Sequence, residues 1–124
     1  MNLQQSGEMY LETILILSQS GEPVHAVDVA KHMNFSKPSV SRAIGILRDG
    51  GYLSVDEQGH LLLTFSGAEI ANKIYERHRL MTDFLVYLGV DREIAATDAC
   101  KMEHDISEES FEALKKYAGK LGII

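Results

Sequence analysis

Residues 36–53 read SKPSVSRAIGILRDGGYL and have the form of a short helix between a polar start and a glycine stop. Ser36 is a good N-cap, and Pro38 is tolerated in a first turn because the amide that it lacks would have no helical partner there. The apolar residues that follow at helical spacing are Val40, Ile44 and Leu47. The pattern therefore predicts a helix over residues 38–48 that ends at Gly50.

The residues before this helix predict a second short helix and a tight connection. The sequence AVDVAKHM at residues 26–33 has apolar residues three apart, which would face a core: Val27, Ala30 and Met33. Residues 34–38 then supply the connection. Two helices joined in this way form a helix-turn-helix, whose second helix enters the major groove of DNA. A further helix is predicted over residues 8–17.

After the glycine stop the sequence predicts a β-hairpin. Two short β-prone runs, residues 52–55 and 60–63, flank an acidic turn that contains Gly59. A hairpin in this place is the wing of a winged helix-turn-helix. Its turn reads Asp-Glu-Gln-Gly, which is a poor contact for DNA phosphate.

The rest of the chain reads as three helices, predicted over residues 66–88, 92–105 and 108–118. Gly89 ends the first of them, and Asp91 and Ser107 are good N-caps for the other two. The predicted fold class is mainly α with one small β-hairpin. Residues 1–70 would form an N-terminal winged helix-turn-helix, and residues 71–124 a C-terminal helical lobe.

The start of the second helix of the helix-turn-helix carries the residue types that a DNA-reading helix needs. They are small, polar or basic: Ser36, Lys37, Pro38, Ser39, Ser41 and Arg42. Arg42 could form two hydrogen bonds to a guanine, while Lys37 and the serines could bind phosphates. Two other interpretations stay open at this point. The same residues could form a solvated helix start, or the winged helix could bind a protein partner.

Composition sets bounds on the function. The chain of 124 residues has no apolar run near the ~18–20 residues that span a bilayer, so no membrane partner is expected. A net charge of −6 argues against strong non-specific binding of nucleic acid, although residues 34–48 carry only basic charges: Lys37, Arg42 and Arg48. The single cysteine rules out an intramolecular disulfide and suits a reducing cytoplasm.

Residues 97–106, TDACKMEHDI, carry a candidate metal site. Cys100, Glu103 and His104 stand at i, i+3 and i+4, so a helix would place a thiolate, a carboxylate and an imidazole on one face. Such a mixed set suits a divalent transition metal. Further donors stand on other predicted helices: Met9, Glu12 and His78. The alternatives are a small buried cysteine, a core methionine and a hydrogen-bonded core histidine.

In their order along the chain, these motifs resemble the diphtheria-toxin-repressor family of metal-activated transcriptional repressors. That family includes iron-dependent repressors and manganese transport regulators. The stretches that carry the resemblance are EMYLETI (8–14), SKPSVSRAIGILRDGGYL (36–53), LLLTFSGAEIA (61–71), ERHRLMTDFL (76–85) and DACKMEHDIS (98–107). The resemblance covers nearly the whole chain.

The resemblance implies a set of ligands for a divalent transition metal. Those that match the activating site of the iron-responsive branch are Met9, Cys100, Glu103 and His104. Those that match the paired-metal site of the manganese branch are Glu12 and His78. Sulfur at Met9 and Cys100, where the manganese branch has oxygen donors, favours Fe(II), then Mn(II), with Zn(II), Co(II) or Ni(II) able to bind in vitro. Because Thr82 and Ala96 replace two further ligands of the iron branch, a complete ancillary site is not expected.

The resemblance also implies a homodimer, held by the helices after about residue 90, that binds double-stranded DNA at a palindromic operator. Metal would act as the co-repressor in iron or manganese homeostasis, by joining the N-terminal helix to the dimerisation lobe. The chain ends before the SH3-like domain that many iron-branch members carry. Two alternatives stay open: a metal-independent regulator that responds to a small molecule, and a zinc hydrolase, because Cys-x-x-Glu-His resembles the His-x-x-Glu-His zinc motif. A chain this short offers a hydrolase little room for a substrate cleft.

Overall fold

The computed structural model describes residues 5–123. In this part of the chain the secondary-structure elements are α1 (Gln5–Ser18), α2 (Ala26–Met33), α3 (Lys37–Asp49), β1 (Leu53–Val55), β2 (Leu61–Leu63), α4 (Phe65–Tyr87), α5 (Arg92–Met102) and α6 (Glu108–Lys120). The predicted fold class, mainly α with a small hairpin, is confirmed. The chain divides into two compact units between Asn72 and Lys73, a boundary that falls within α4. Among the described helices, none is long and apolar enough to cross a membrane.

In the first unit, α2 and α3 form a helix-turn-helix. The chain leaves α2 at Asn34, which adopts the left-handed conformation (φ 57°, ψ 43°) and donates its backbone N–H to the Ala30 carbonyl. Asparagine is one of the few residues that tolerates this conformation well. The predicted cap of α3 is confirmed, since the Ser36 side chain accepts the backbone N–H of Ser39 at 3.3 Å. These two ends confine the connection to a tight turn.

The core of the first unit lies between α1, α2, α3 and the hairpin. The predicted core face of α3 is confirmed, with Val40, Ile44 and Leu47 all buried. The predicted face of α2 was wrong at Val27, which is 38% exposed, whereas Val29 is fully buried. The buried or partly buried apolar residues of α2 are Ala26, Val29, Ala30 and Met33. Their spacing of i, i+3, i+4 and i+7 follows the helical period. The three predicted residues are spaced three apart throughout and do not follow that period.

β1 and β2 form the predicted antiparallel hairpin, with Leu53 opposite Leu63. The Asp56 carboxylate organises the turn: Oδ1 accepts the backbone N–H groups of Gln58 at 2.9 Å and His60 at 2.8 Å. The hydrogen bond from the His60 amide is the main cause of the lowered pKa of Asp56, burial acts in the opposite direction, and the Gln58 amide adds to the lowering. Because this folded-state pKa lies below the ordinary value, the carboxylate stabilises the turn above that value. The stabilisation is lost as pH falls through the lowered pKa.

The first turn of α4 lies against the hairpin at a glycine. The Thr64 hydroxyl accepts the backbone N–H of Gly67 at 3.1 Å and donates to the Gly51 carbonyl at 2.7 Å. The Thr64 N–H donates to the Tyr52 carbonyl at 3.2 Å. A Cβ on Gly67 would lie 1.9 Å from the Tyr52 carbonyl oxygen. Only a residue without a side chain fits there.

The second unit is built from the C-terminal part of α4 together with α5 and α6. Its buried core consists of Leu80, Met81, Ala99, Phe111 and Ala118. The predicted caps of α5 and α6, Asp91 and Ser107, are confirmed. However, α5 ends at Met102 rather than near residue 105. The Asp105 N–H donates to the Met102 carbonyl at 3.2 Å, an i→i−3 bond that tightens the chain after α5, and the Ile106 N–H donates to the same carbonyl at 3.3 Å.

Candidate nucleic-acid interface and metal centre

The residues predicted to contact nucleic acid are all exposed at the start of α3: Ser36, Lys37, Pro38, Ser39, Ser41 and Arg42. Because the apolar face of α3 is buried, these polar groups lie on the solvent-exposed side of the helix. The Ser36 hydroxyl donates to the Ser39 hydroxyl at 2.8 Å, which orders the first turn. Within residues 5–123, neither Lys37 nor Arg42 forms an ion pair, whereas Arg48 lies 3.4 Å from Asp49. Lys37 and Arg42 therefore remain available to a phosphate or a base.

A polar cluster in the second unit surrounds the carboxylate of Glu103, whose side chain is 0% exposed. Its Oε2 lies 2.8 Å from His78 Nδ1, and its Oε1 lies 3.3 Å from His104 Nε2. Burying a carboxylate is costly unless it is paired or hydrogen-bonded, so this arrangement is one that the fold must maintain. Imidazole and carboxylate groups are also ligands that divalent transition metals accept. The chemistry of these three side chains therefore fits such an ion.

Two segments of the second unit position this cluster. His78 projects from α4, while Glu103 is the C-cap of α5 and keeps a helical hydrogen bond to the Ala99 carbonyl at 2.9 Å. His104 follows in the turn after α5. Cys100 lies in the last turn of α5 and is half-buried. The structure thus brings His78, Glu103 and His104 together, and it places Cys100 one turn before Glu103.

In the first unit, Met9 and Glu12 lie about one turn apart on α1. Glu12 is 7% exposed, and Met9 is half-buried. Acidic residues are almost never buried unless they are paired, hydrogen-bonded or bound to a metal. Glu12 is therefore a second buried carboxylate, of the kind that pairing, hydrogen bonding or metal ligation stabilises.

The sequence prediction did not include Arg77, which is 6% exposed and belongs to the polar cluster of the second unit. Its Nη1 donates to the backbone carbonyls of Glu103 at 3.1 Å and Ile106 at 2.8 Å. A signal for its burial exists in the sequence. Position 77 lies three residues after Ile74 and four before Met81, within the apolar stripe of α4.

Two family profiles match the chain. The profile described as the N-terminal DNA-binding domain of iron-dependent repressors matches residues 2–61, which include α3. The profile described as the metal-binding and dimerisation domain of iron-dependent repressors matches residues 64–122, which include His78, Glu103 and His104. Together they account for nearly the whole sequence.

Individual proteins show the same similarity. An uncharacterised helix-turn-helix transcriptional regulator of Methanocaldococcus jannaschii is 35% identical over 120 residues, which cover 95% of this chain and 96% of that protein. The transcriptional regulator MntR of Escherichia coli is 34% identical over 113 residues, which cover 91% of this chain and 73% of MntR. A solved manganese-dependent transcriptional repressor in complex with manganese superimposes with a TM-score of 0.84 at 28% identity. The superposition covers 95% of this chain but 53% of that one, so the chain spans about half of that protein's length.

Proposed function

Because the chain belongs to the family of iron-dependent repressors, we propose that it is a DNA-binding transcriptional repressor activated by a divalent transition metal. The observation that carries the proposal is the buried Glu103 carboxylate between the imidazoles of His78 and His104. These residues lie in the region that matches the family's metal-binding and dimerisation domain. The relatives are transcriptional regulators. The protein would act in the cytoplasm and control iron or manganese homeostasis.

The proposed DNA contacts use α3 as the recognition helix. Residues 1–70 would form the DNA-binding domain and residues 71–124 the metal-binding and dimerisation domain. A homodimer presents two copies of α3, which suits the two halves of a palindromic operator in double-stranded DNA. Arg42 would read a base edge, because its fork of donors matches guanine. Lys37 and the serines at positions 36, 39 and 41 would contact the phosphate backbone, and Pro38 would lie among them at the DNA in the first turn of α3.

The proposed metal ligands are Met9, Glu12, His78, Cys100, Glu103 and His104. A divalent ion supplies two positive charges and directional bonds to such donors. Met9 and Glu12 belong to the proposed DNA-binding domain, and the other four belong to the dimerisation domain. Metal binding to the full set would therefore favour one conformational state of the protein over others. An ion shifts a conformational equilibrium only by binding one state more tightly, and tenfold activation needs about 1.4 kcal/mol of that difference.

We propose Fe(II) as the physiological co-repressor, with Mn(II) second. The thioether of Met9 and the thiolate of Cys100 are soft donors, whereas Mn(II) prefers carboxylate, carbonyl and water oxygens. Zn(II), Co(II) and Ni(II) should also bind in vitro because imidazole suits all three ions. Iron is named in the matching family profiles, and manganese is bound by the solved relative.

The test is a binding titration under anaerobic conditions. The purified protein, freed of metal with a chelator, is mixed with a labelled duplex from its own promoter region. Fe(II), Mn(II), Zn(II) and Co(II) are then added separately, and DNA binding is followed by fluorescence anisotropy at fixed salt. We expect at least one ion to raise the DNA affinity about tenfold or more, which needs about 1.4 kcal/mol. Equal DNA affinity with every metal and with chelator would overturn the proposed function.

The role of α3 is tested with Arg42→Ala in the metal-saturated protein. We expect discrimination at one base pair of each half-site to fall by about 1–3 kcal/mol, because the bidentate contact is lost. The matched variant Lys37→Ala should weaken binding to all sequences alike and lower its salt dependence, as a phosphate contact does. The measurement is competition across a library of single-base operator variants. Unchanged base discrimination in Arg42→Ala would show that another residue reads that base.

A further inference from the structure

Arg77 is buried although it carries a permanent charge. Its side chain is 7% exposed, and its guanidinium lies between the turn after α5 and helix α6. Two backbone carbonyls after α5 accept from Nη1, the Glu108 carboxylate of α6 lies 3.5 Å from Nη2, and the Phe111 ring centroid lies 5.4 Å from Cζ. A buried arginine is retained only where its donors are used, because an uncompensated charge in the interior is costly.

The carbonyl contacts of Arg77 bracket one short turn. The accepting carbonyls belong to Glu103 and Ile106, which are the two ends of the segment 103–106 that follows α5. The N–H groups of Glu103, Asp105 and Ile106 bond back to carbonyls of α5, whereas the carbonyls beyond a helix end have no partner within the helix. The guanidinium supplies donors to two of these carbonyls from one nitrogen.

Arg77 contacts the backbone of Glu103, and the adjacent His78 contacts its side chain. The Arg77 guanidinium binds the Glu103 backbone carbonyl at 3.1 Å, while the His78 imidazole contacts the Glu103 carboxylate at 2.8 Å. A ligand side chain keeps its direction only if its backbone is fixed as well. Two successive residues of α4 thus control the position and the direction of the carboxylate.

We propose that Arg77 is a positioning residue that fixes the turn 103–106, so that Glu103 and His104 are presented to a divalent metal in one arrangement. This inference rests on the proposed function for the identity of the ligands. It adds a residue that does not itself bind the metal. Lysine is not equivalent in this role, because its ammonium nitrogen lies one bond short of the Nη1 position and it lacks the planar group that packs over the Phe111 ring.

The test compares Arg77→Lys with wild type in two measurements. The first is amide hydrogen exchange in the metal-free protein, read at the N–H groups of Glu103, Asp105 and Ile106. The second is Co(II) binding, read as the affinity in competition with a chelator and as the visible absorption of the bound ion. Arg77→Gln serves as a second variant that removes the charge as well. Glu108→Gln is the matched control, because it changes the same ion pair but leaves both carbonyl contacts of Arg77 in place.

We expect exchange in the turn of Arg77→Lys to rise about tenfold more than exchange in α6, and Co(II) affinity to fall about tenfold with an altered spectrum. Glu108→Gln should match wild type in the turn and in Co(II) affinity. Unchanged exchange in the turn, or an equal rise throughout the second unit, would overturn the positioning role. The same is true of wild-type Co(II) binding in both Arg77 variants. If the wild-type protein binds no Co(II), the proposed function fails, while the exchange experiment still decides whether Arg77 fixes the turn.

Discussion

Replacing Glu103 with glutamine is expected to remove the response of DNA affinity to metal. The substitution keeps the size and shape of the side chain but takes away the charge and one oxygen donor of the buried carboxylate. Outer-sphere changes around metal ligands already cost about 10–100-fold in affinity, so the loss of a ligand carboxylate should cost at least about 100-fold. DNA binding at a metal concentration that saturates wild type should then stay at the level seen with chelator.

The control for this prediction is Glu112→Gln, the same chemical change at an exposed position of α6. It should leave both metal affinity and metal-activated DNA binding unchanged. Thermal unfolding in chelator provides a second check. Because glutamine keeps the size of the side chain and an oxygen that can contact His78 Nδ1, Glu103→Gln should stay folded there, with a cooperative transition. Metal activation of Glu103→Gln at wild-type metal concentrations would exclude Glu103 from the ligand set.

Gly67→Ala is expected to destabilise the first unit more than any other exchange of glycine for alanine. The new Cβ would lie 1.9 Å from the Tyr52 carbonyl oxygen, and that oxygen belongs to backbone rather than to a side chain that could rotate away. Relief requires α4 to move from the hairpin, against the hydrogen bonds between Thr64 and the backbone of Gly51 and Tyr52. Overpacking of this kind costs about 3 kcal/mol.

The measurement is urea unfolding followed by circular dichroism, in chelator and at one protein concentration. Gly45→Ala is the matched control in the same unit, since its Cβ would meet only the Arg48 side chain at 4.0 Å. As a change inside helix α3, it should stabilise the protein by about 0.5–1 kcal/mol. A stability of Gly67→Ala equal to that of wild type would mean that α4 and the hairpin do not approach as closely as the structure shows.

The fold was predictable from the sequence where local signals and burial agree. Ser36 caps α3, and its apolar residues recur at the helical period, so both the element and its buried side were predicted correctly. Where the apolar spacing was ambiguous, the prediction failed. In α2, Val27 and Val29 compete for the core side, and only tertiary packing selects Val29.

The candidate site was predictable in residue types but not in geometry. Spacing suggested one helical face for Cys100, Glu103 and His104, yet α5 ends at Met102 and His104 lies in the following turn. That turn depends on Arg77, whose partner carbonyls are 26 and 29 residues further along the chain. Because these contacts are made to backbone carbonyls, they do not require any particular residue type at the accepting positions. No sequence pattern could therefore predict them.

The most direct test of the coupling between metal and operator measures how operator binding changes the metal affinity. Fe(II) affinity is measured anaerobically by competition with a chelator, with and without saturating operator duplex, and again with a duplex of scrambled sequence. Linkage requires the operator to raise metal affinity by the same factor as metal raises operator affinity. We expect both factors to be equal and about tenfold or more. Metal affinity that does not change when the operator binds would contradict a metal-activated repressor.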